Sequence, residues 1–175
     1  MDDADHAVLP NGKFVSGLFR LILVPVDGSE PSAGAVASAA RIAVACDAEL
    51  LFCSIVDRNK LVAEAAQMPF ADPTPAIDAV TEGGKRILGE ALHAAADAHA
   101  KARAELCEGE PVAAILRLAD EQGVDLIVMG SHGRGGIGRL LVGSTTEGVL
   151  RRSNVPVLVL REGVTLKPAD GPAEA

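Results

Sequence analysis

The chain has 175 residues, of which 49% are hydrophobic; it is long enough to bury a core as a single domain, and such a composition argues against disorder of its body. Its formal net charge is -8, and it has neither tryptophan nor tyrosine. An acidic surface without aromatics for base stacking repels a phosphate backbone, which argues against a nucleic-acid partner.

The opening "MDDADHAVLPNGK" is acidic and lacks the basic-then-apolar order of a secretory signal. Residues 1–17 are expected to be a flexible leader, residues 18–162 the folded domain and residues 163–175 a flexible tail. The most apolar stretch near the start, "FVSGLFRLILVPV", is too short to span a bilayer and contains Arg20, so no membrane partner is expected. Cys46, Cys53 and Cys107 show no metal-ligand spacing and are odd in number. They are expected to be small buried hydrophobes of a reducing compartment, which makes the protein cytoplasmic.

"LILVPV" (21–26) is a continuous apolar run, as in a strand covered on both faces. In "DGSEPS" the residues Asp27, Gly28 and Ser29 turn the chain, and Pro31 suits a first helical turn. Residues 31–46 are alanine-rich without a breaker and predict a helix. "AELLFCSIV" (48–56) predicts a second buried strand. Residues 58–75, with Pro69, Pro73 and Pro75, are expected to be irregular. Thr74 and Pro75 then start a helix with Ile77, Val80, Ile87, Leu88, Leu92 and Ala95 on one apolar face. "KARAELCEG" (101–109) alternates, which predicts a more exposed strand. Pro111 opens a helix with Val112, Ile115, Leu116 and Ala119 inward and Gly123 at its close. "VDLIVMG" (124–130) and "VPVLVL" (155–160) predict two further strands. Alternating helices and apolar strands define an α/β domain, an open parallel sheet with helices on both faces. Ligands then bind at the carboxyl ends of the strands, where the winding reverses. The strand ends "PVDGS" and "VMGSHGRGG" are expected side by side at that point.

The glycine-rich stretch "GSHGRGGIGRLLVGSTTEGVL" (130–150) carries the strongest chemical signal. Read as a P-loop, "GRLLVGST" (138–145) has its glycines and hydroxyl in place, but Ser144 stands where the phosphate-binding lysine belongs. Gly133, Gly135 and Gly138, with Glu162 after the next strand, also satisfy a dinucleotide fingerprint. That pattern needs a helix from about Gly136, in which Gly143 and Gly148 would each cost about 1 kcal/mol relative to alanine. Ser144-Thr145-Thr146-Glu147 instead reads as a capping box, which predicts a helix starting near Ser144. Free amides, the helix dipole and the hydroxyls of Ser144, Thr145 and Thr146 would then converge on one spot. Gly130, Gly133 and Gly143 would let the backbone come close to an anion there, with His132, Arg134 or Arg139 as outer charges. A bulky residue in place of Gly130 or Gly143 is expected to abolish binding while the fold persists.

From about Phe19 to Arg161 the chain resembles the universal stress protein family (UspA domain). "ILVPVDGS" is similar to its opening strand, and "VDLIVMGSHGRGG" and "VGSTTEGVLRRSNVPVLVL" to its closing half. The nucleotide-binding members carry G-x2-G-x9-G-(S/T), matched here by Gly130, Gly133, Gly143 and Ser144. The resemblance implies a five-stranded parallel sheet of order 3-2-1-4-5 and ATP with Mg²⁺ as ligands. It places Pro25, Val26 and Asp27 on the adenosine side, with Asp27 near the ribose or, through water, the metal. Ile55 packs on adenine; Met129, Gly130, His132 and Gly133 follow the nucleotide; Gly143, Ser144, Thr145 and Thr146 hold the phosphates. An adenine held by Val26, Ile55 and Met129 needs no aromatic. The family's homodimer forms through the last strand, residues 155–160 here, which would cover a sheet edge.

Catalysis needs a positioned base or nucleophile. His132 is the only histidine near the site; His6, His93 and His99 are expected in solvent, the first in the leader and the others on a helix. Neither a lysine clamp nor a second carboxylate for a metal pair is present. The expectation is a regulatory, stress-response protein, not an enzyme, whose occupancy by ATP alters a surface seen by an unknown protein partner. A slow ATPase, a nucleotide-independent dimeric scaffold and an NAD-type enzyme are the alternatives. Cyclic AMP or another adenine nucleotide meets the same constraints as ATP.

Overall fold

The computed structural model describes residues 17–68, 72–131 and 142–166. Five parallel strands form one sheet: β1 (Leu21–Pro25), β2 (Glu49–Val56), β3 (Lys101–Glu108), β4 (Leu126–Gly130) and β5 (Val157–Leu160), in the spatial order β3-β2-β1-β4-β5. The helices are α1 (Glu30–Cys46), α2 (Arg58–Ala65), α3 (Thr74–Asp97), α4 (Pro111–Gln122) and α5 (Ser144–Arg152). Fold class and strand order are those expected.

The period of two along each strand divides the core between the faces of the sheet. Ile22, Val24, Leu50, Phe52 and Val128 pack under α1 and α3, against Val36, Ala39, Ile87 and Leu88. Leu23, Leu51, Ile127 and Met129 point the other way, onto Ile115 and Leu118 of α4 and Val149 of α5. Cys46, Cys53 and Cys107 are buried free thiols. Burial pushes all three thiols above their usual range, most strongly at Cys53.

Helix ends follow local chemistry. Ser29 caps α1, its hydroxyl accepting from the Ser32 amide at 3.4 Å, with Pro31 in the first turn. Gly123 closes α4 at φ 66°. Asp125, just before β4, accepts from the amides of Arg20 at 2.8 Å and Leu21 at 3.0 Å, which ties the start of β1 to β4.

Several local expectations are corrected. The segment expected to be irregular contains α2, capped by Asp57, whose carboxylate accepts from the Lys60 amide at 3.0 Å. The prolines that suggested irregularity all lie beyond the end of α2. Val80 is 41% exposed and not on the buried face of α3, which is formed by Ile77, Gly84, Ile87, Leu88, Ala91 and Ala95. His99 lies past the end of α3 with φ 58°, while His93 is on the helix; both are exposed. Residues 163–166, expected within the tail, run back over α1, where the Leu166 amide donates to the buried Ser38 hydroxyl at 3.1 Å.

Candidate functional site

The crossover from β1 to α1 runs to one side of the sheet and that from β4 to α5 to the other, so a cleft opens between the carboxyl ends of β1 and β4. The cavity there is about 560 Å³. β1 and the turn after it contribute Pro25, Val26 and Asp27; β2 contributes Ile55; β4 contributes Met129 and Gly130. Gly143, Ser144, Thr145 and Thr146 close the far wall. Every site residue expected from the sequence that is among the described residues lines this one cleft. His132 and Gly133 lie outside the described residues, as do Arg134 and Arg139.

The β1 turn is built by short polar side chains. The Asp27 carboxylate accepts from the Ser29 amide at 3.0 Å and the Ser29 hydroxyl at 2.6 Å, while the Ser32 hydroxyl accepts from the Asp27 amide at 3.3 Å. Gly28, at φ 78°, makes the reversal between them. Asp27 therefore shapes the turn, and Ser29 is the residue that caps α1.

α5 starts at Ser144, as expected, but the expected capping box does not form. Gly143 is the N-cap, with extended backbone at φ -65° and ψ 153°, and no side chain caps the helix. Gly136, where the dinucleotide fingerprint needs its helix to start, lies outside the described residues; the extended backbone at Gly143 means that no helix runs through it into α5, which counts against that reading. The Gly143 amide donates to the Ser131 carbonyl at 2.7 Å. The next three amides, of Ser144, Thr145 and Thr146, belong to the first turn and have no intrahelical acceptor. They stand at the positive end of the helix dipole, on the cleft wall. The Thr146 hydroxyl, by contrast, is buried and donates to the Gly130 carbonyl at 2.9 Å, so its proton serves the fold. Glu147 pairs with Arg151 at 2.8 Å, one turn along.

Gly130 has a structural duty besides its place in the cleft lining. A Cβ there would stand 2.7 Å from the Pro31 carbonyl carbon and 2.8 Å from its Cβ. The missing side chain makes room for the first turn of α1.

Ser29, Ser32, Ser54, Lys60, Pro111 and Ile115 complete the lining and were not foreseen as site residues. Ser29 and Ser32 were legible in "DGSEPS"; Lys60 was hidden because α2 itself was missed. Lys60 is the only cationic side chain among the described lining residues. Among the described residues no group of three or more histidine, cysteine or acidic side chains could hold a metal ion. No described helix is long and apolar enough to cross a membrane.

Fold and site together define an α/β domain with a switch-point cleft closed by a helix N-terminus, a class whose members bind small ligands at the strand carboxyl ends. The chain belongs to the universal stress protein family, whose model matches residues 18–161. It is 31% identical to Universal stress protein MJ0531 of Methanocaldococcus jannaschii over 90% of this chain and 89% of that protein. To Universal stress protein YxiE of Bacillus subtilis it is 33% identical, over 82% of this chain and all of the relative. Among solved structures, UspA from Lactobacillus plantarum superposes with a TM-score of 0.70 at 28% identity, covering 81% of this chain and 97% of that one. A universal stress protein in complex with cAMP does so with a TM-score of 0.60 at 30% identity, covering 82% of this chain and 98% of that one.

Proposed function

We propose that this protein binds ATP in the switch-point cleft and acts as a homodimeric, nucleotide-responsive stress regulator of the cytoplasm, without efficient turnover. The observation that carries this is the first turn of α5: three amides without intrahelical acceptors belong to residues lining a cleft that also has an apolar part, Pro25, Val26, Ile55 and Met129. Unpaired amides at a helix N-terminus are suited to phosphate oxygens. Val26, Ile55 and Met129 give the cleft an apolar part suited to an adenine, and Asp27 is among the same lining residues. The complex of a family member with cAMP supports an adenine nucleotide as the ligand class.

The residues fit Mg²⁺ in the role of a partner to phosphate. Mg²⁺ is commonly held by one or two carboxylates together with phosphates and water, and Asp27 supplies one carboxylate. When bound, the ion would neutralise phosphate charge.

Equilibrium titration with Mg-ATP, cAMP and adenosine tests this. ATP is expected to saturate one site per chain, and Asp27→Ala to remove the Mg²⁺ dependence. Gly143→Val is expected to lower affinity with the fold retained, because any residue can adopt the Gly143 backbone conformation. A chain that ignores all three ligands would instead be a nucleotide-independent scaffold.

A further inference from the structure

We propose that Lys60 is a further contact residue for the nucleotide, and that through it α2 responds to occupancy of the cleft. This rests on the nucleotide reading of the site. The eight residues of α2 include none that is buried; Leu61 and Ala65 are half-buried and the others exposed. So short a helix is marginal alone and needs packing that α2 scarcely has. Among the described residues its ties are some packing against α3, the Asp57 cap and an ion pair between Arg58 and Glu108 at 3.2 Å, both side chains more than half exposed. Exposed pairs of that kind add little. α2 therefore belongs to the least stable part of the described fold, where a new contact shifts local opening most.

Lys60 is the one residue of α2 that reaches the cleft lining. Its ammonium stands 4.0 Å from Glu64, and its side chain is 71% exposed. α2 follows directly from β2, so Lys60 lies on the Ile55 side of the cleft, across β1 from the α5 wall. A polyanion in a chain of net charge -8 is repelled overall, which raises the value of a local cation. A nucleotide in the cleft thus gives Lys60 an anionic partner in addition to Glu64.

Hydrogen exchange on the full chain, with and without Mg-ATP, reads both walls separately. At ATP ten times its Kd, amides of residues 144–146 and of 58–66 are each expected to slow, by up to about tenfold. Lys60→Ala, measured at ATP ten times its own higher Kd, should lose the slowing at 58–66 and show it at 144–146; Lys60→Arg should restore both the slowing and the affinity. Slowing at 144–146 alone in the unmodified chain would overturn the role of α2 and leave nucleotide binding standing. Slowing of both walls that survives Lys60→Ala would overturn the role of Lys60. No slowing anywhere would overturn both the inference and the binding on which it rests.

Discussion

The carbonyl carbon of Pro31 occupies the space that a Cβ on Gly130 would need. Backbone cannot step aside as a flexible side chain can, so Gly130→Ala is expected to destabilise by about 1–3 kcal/mol, as other overpacked sites do. Chemical denaturation measures this. Any loss of ligand affinity should follow the displacement of α1, contrary to the expectation that the fold would tolerate bulk there. Thr146 is a second residue whose role is set by a distant partner. Thr146→Val removes the donor to the Gly130 carbonyl and should cost about 1–3 kcal/mol, whereas Thr146→Ser keeps the bond and most of the stability. Gly130 was legible as a site candidate from the motif, and Thr146 from the run of hydroxyl residues that follows it. Their structural duties were not, because the motif records no neighbour outside itself.

At the scale of elements, apolar runs and alternation placed all five strands, and alanine content, apolar spacing and the Ser-Thr-Thr run at Ser144 placed four of the five helices. α2 escaped because three prolines close behind it suggested irregular chain, although Asp57 followed by "RNKLVAEAAQ" is a cap and a run of helix formers. The capping box at Ser144 failed for a related reason. Once the Gly143 amide bonds to Ser131, the N-cap position falls on the glycine and Ser144 becomes the first helical residue. α5 meets α4 closely because Gly148 has no side chain; a Cβ there would lie 2.7 Å from a Val112 methyl. The β1–β4 pairing is tied by Asp125, whose carboxyl is held below its ordinary range by the amides of Arg20 and Leu21. Those amides favour the ionised form, so the stability they add is complete above the unfolded pKa of an aspartate. It is lost as pH falls through the lower folded value. Asp125→Asn should therefore lower stability at neutral pH by about 1 kcal/mol, after allowance for solvent screening. It should also flatten the acid limb of a stability–pH profile.

For the whole molecule, the two sheet edges differ in kind. β3 is flanked by ion pairs, Lys101 with Asp47 at 2.8 Å and Arg103 with Glu49 at 3.4 Å, and edge charges of this sort discourage strand addition. β5 is apolar along its length, with Val157, Leu158 and Val159 only half-buried. The proposed homodimer through β5 would cover that edge. Sedimentation equilibrium should then find a species of twice the 17.9 kDa chain mass; a monomer at micromolar concentration would count against it. The sequence by itself determined the parallel α/β class and the junction of glycines and hydroxyls between a strand and a helix. Those features follow from apolar period and turn chemistry, which act over a few residues. Only the tertiary structure decided that Gly130 yields to Pro31, that Thr146 bonds to Gly130, that Leu166 returns to Ser38 and that Lys60 reaches the cleft. Each depends on packing between segments that the winding of the sheet brings together, and short-range pattern holds no record of such neighbours.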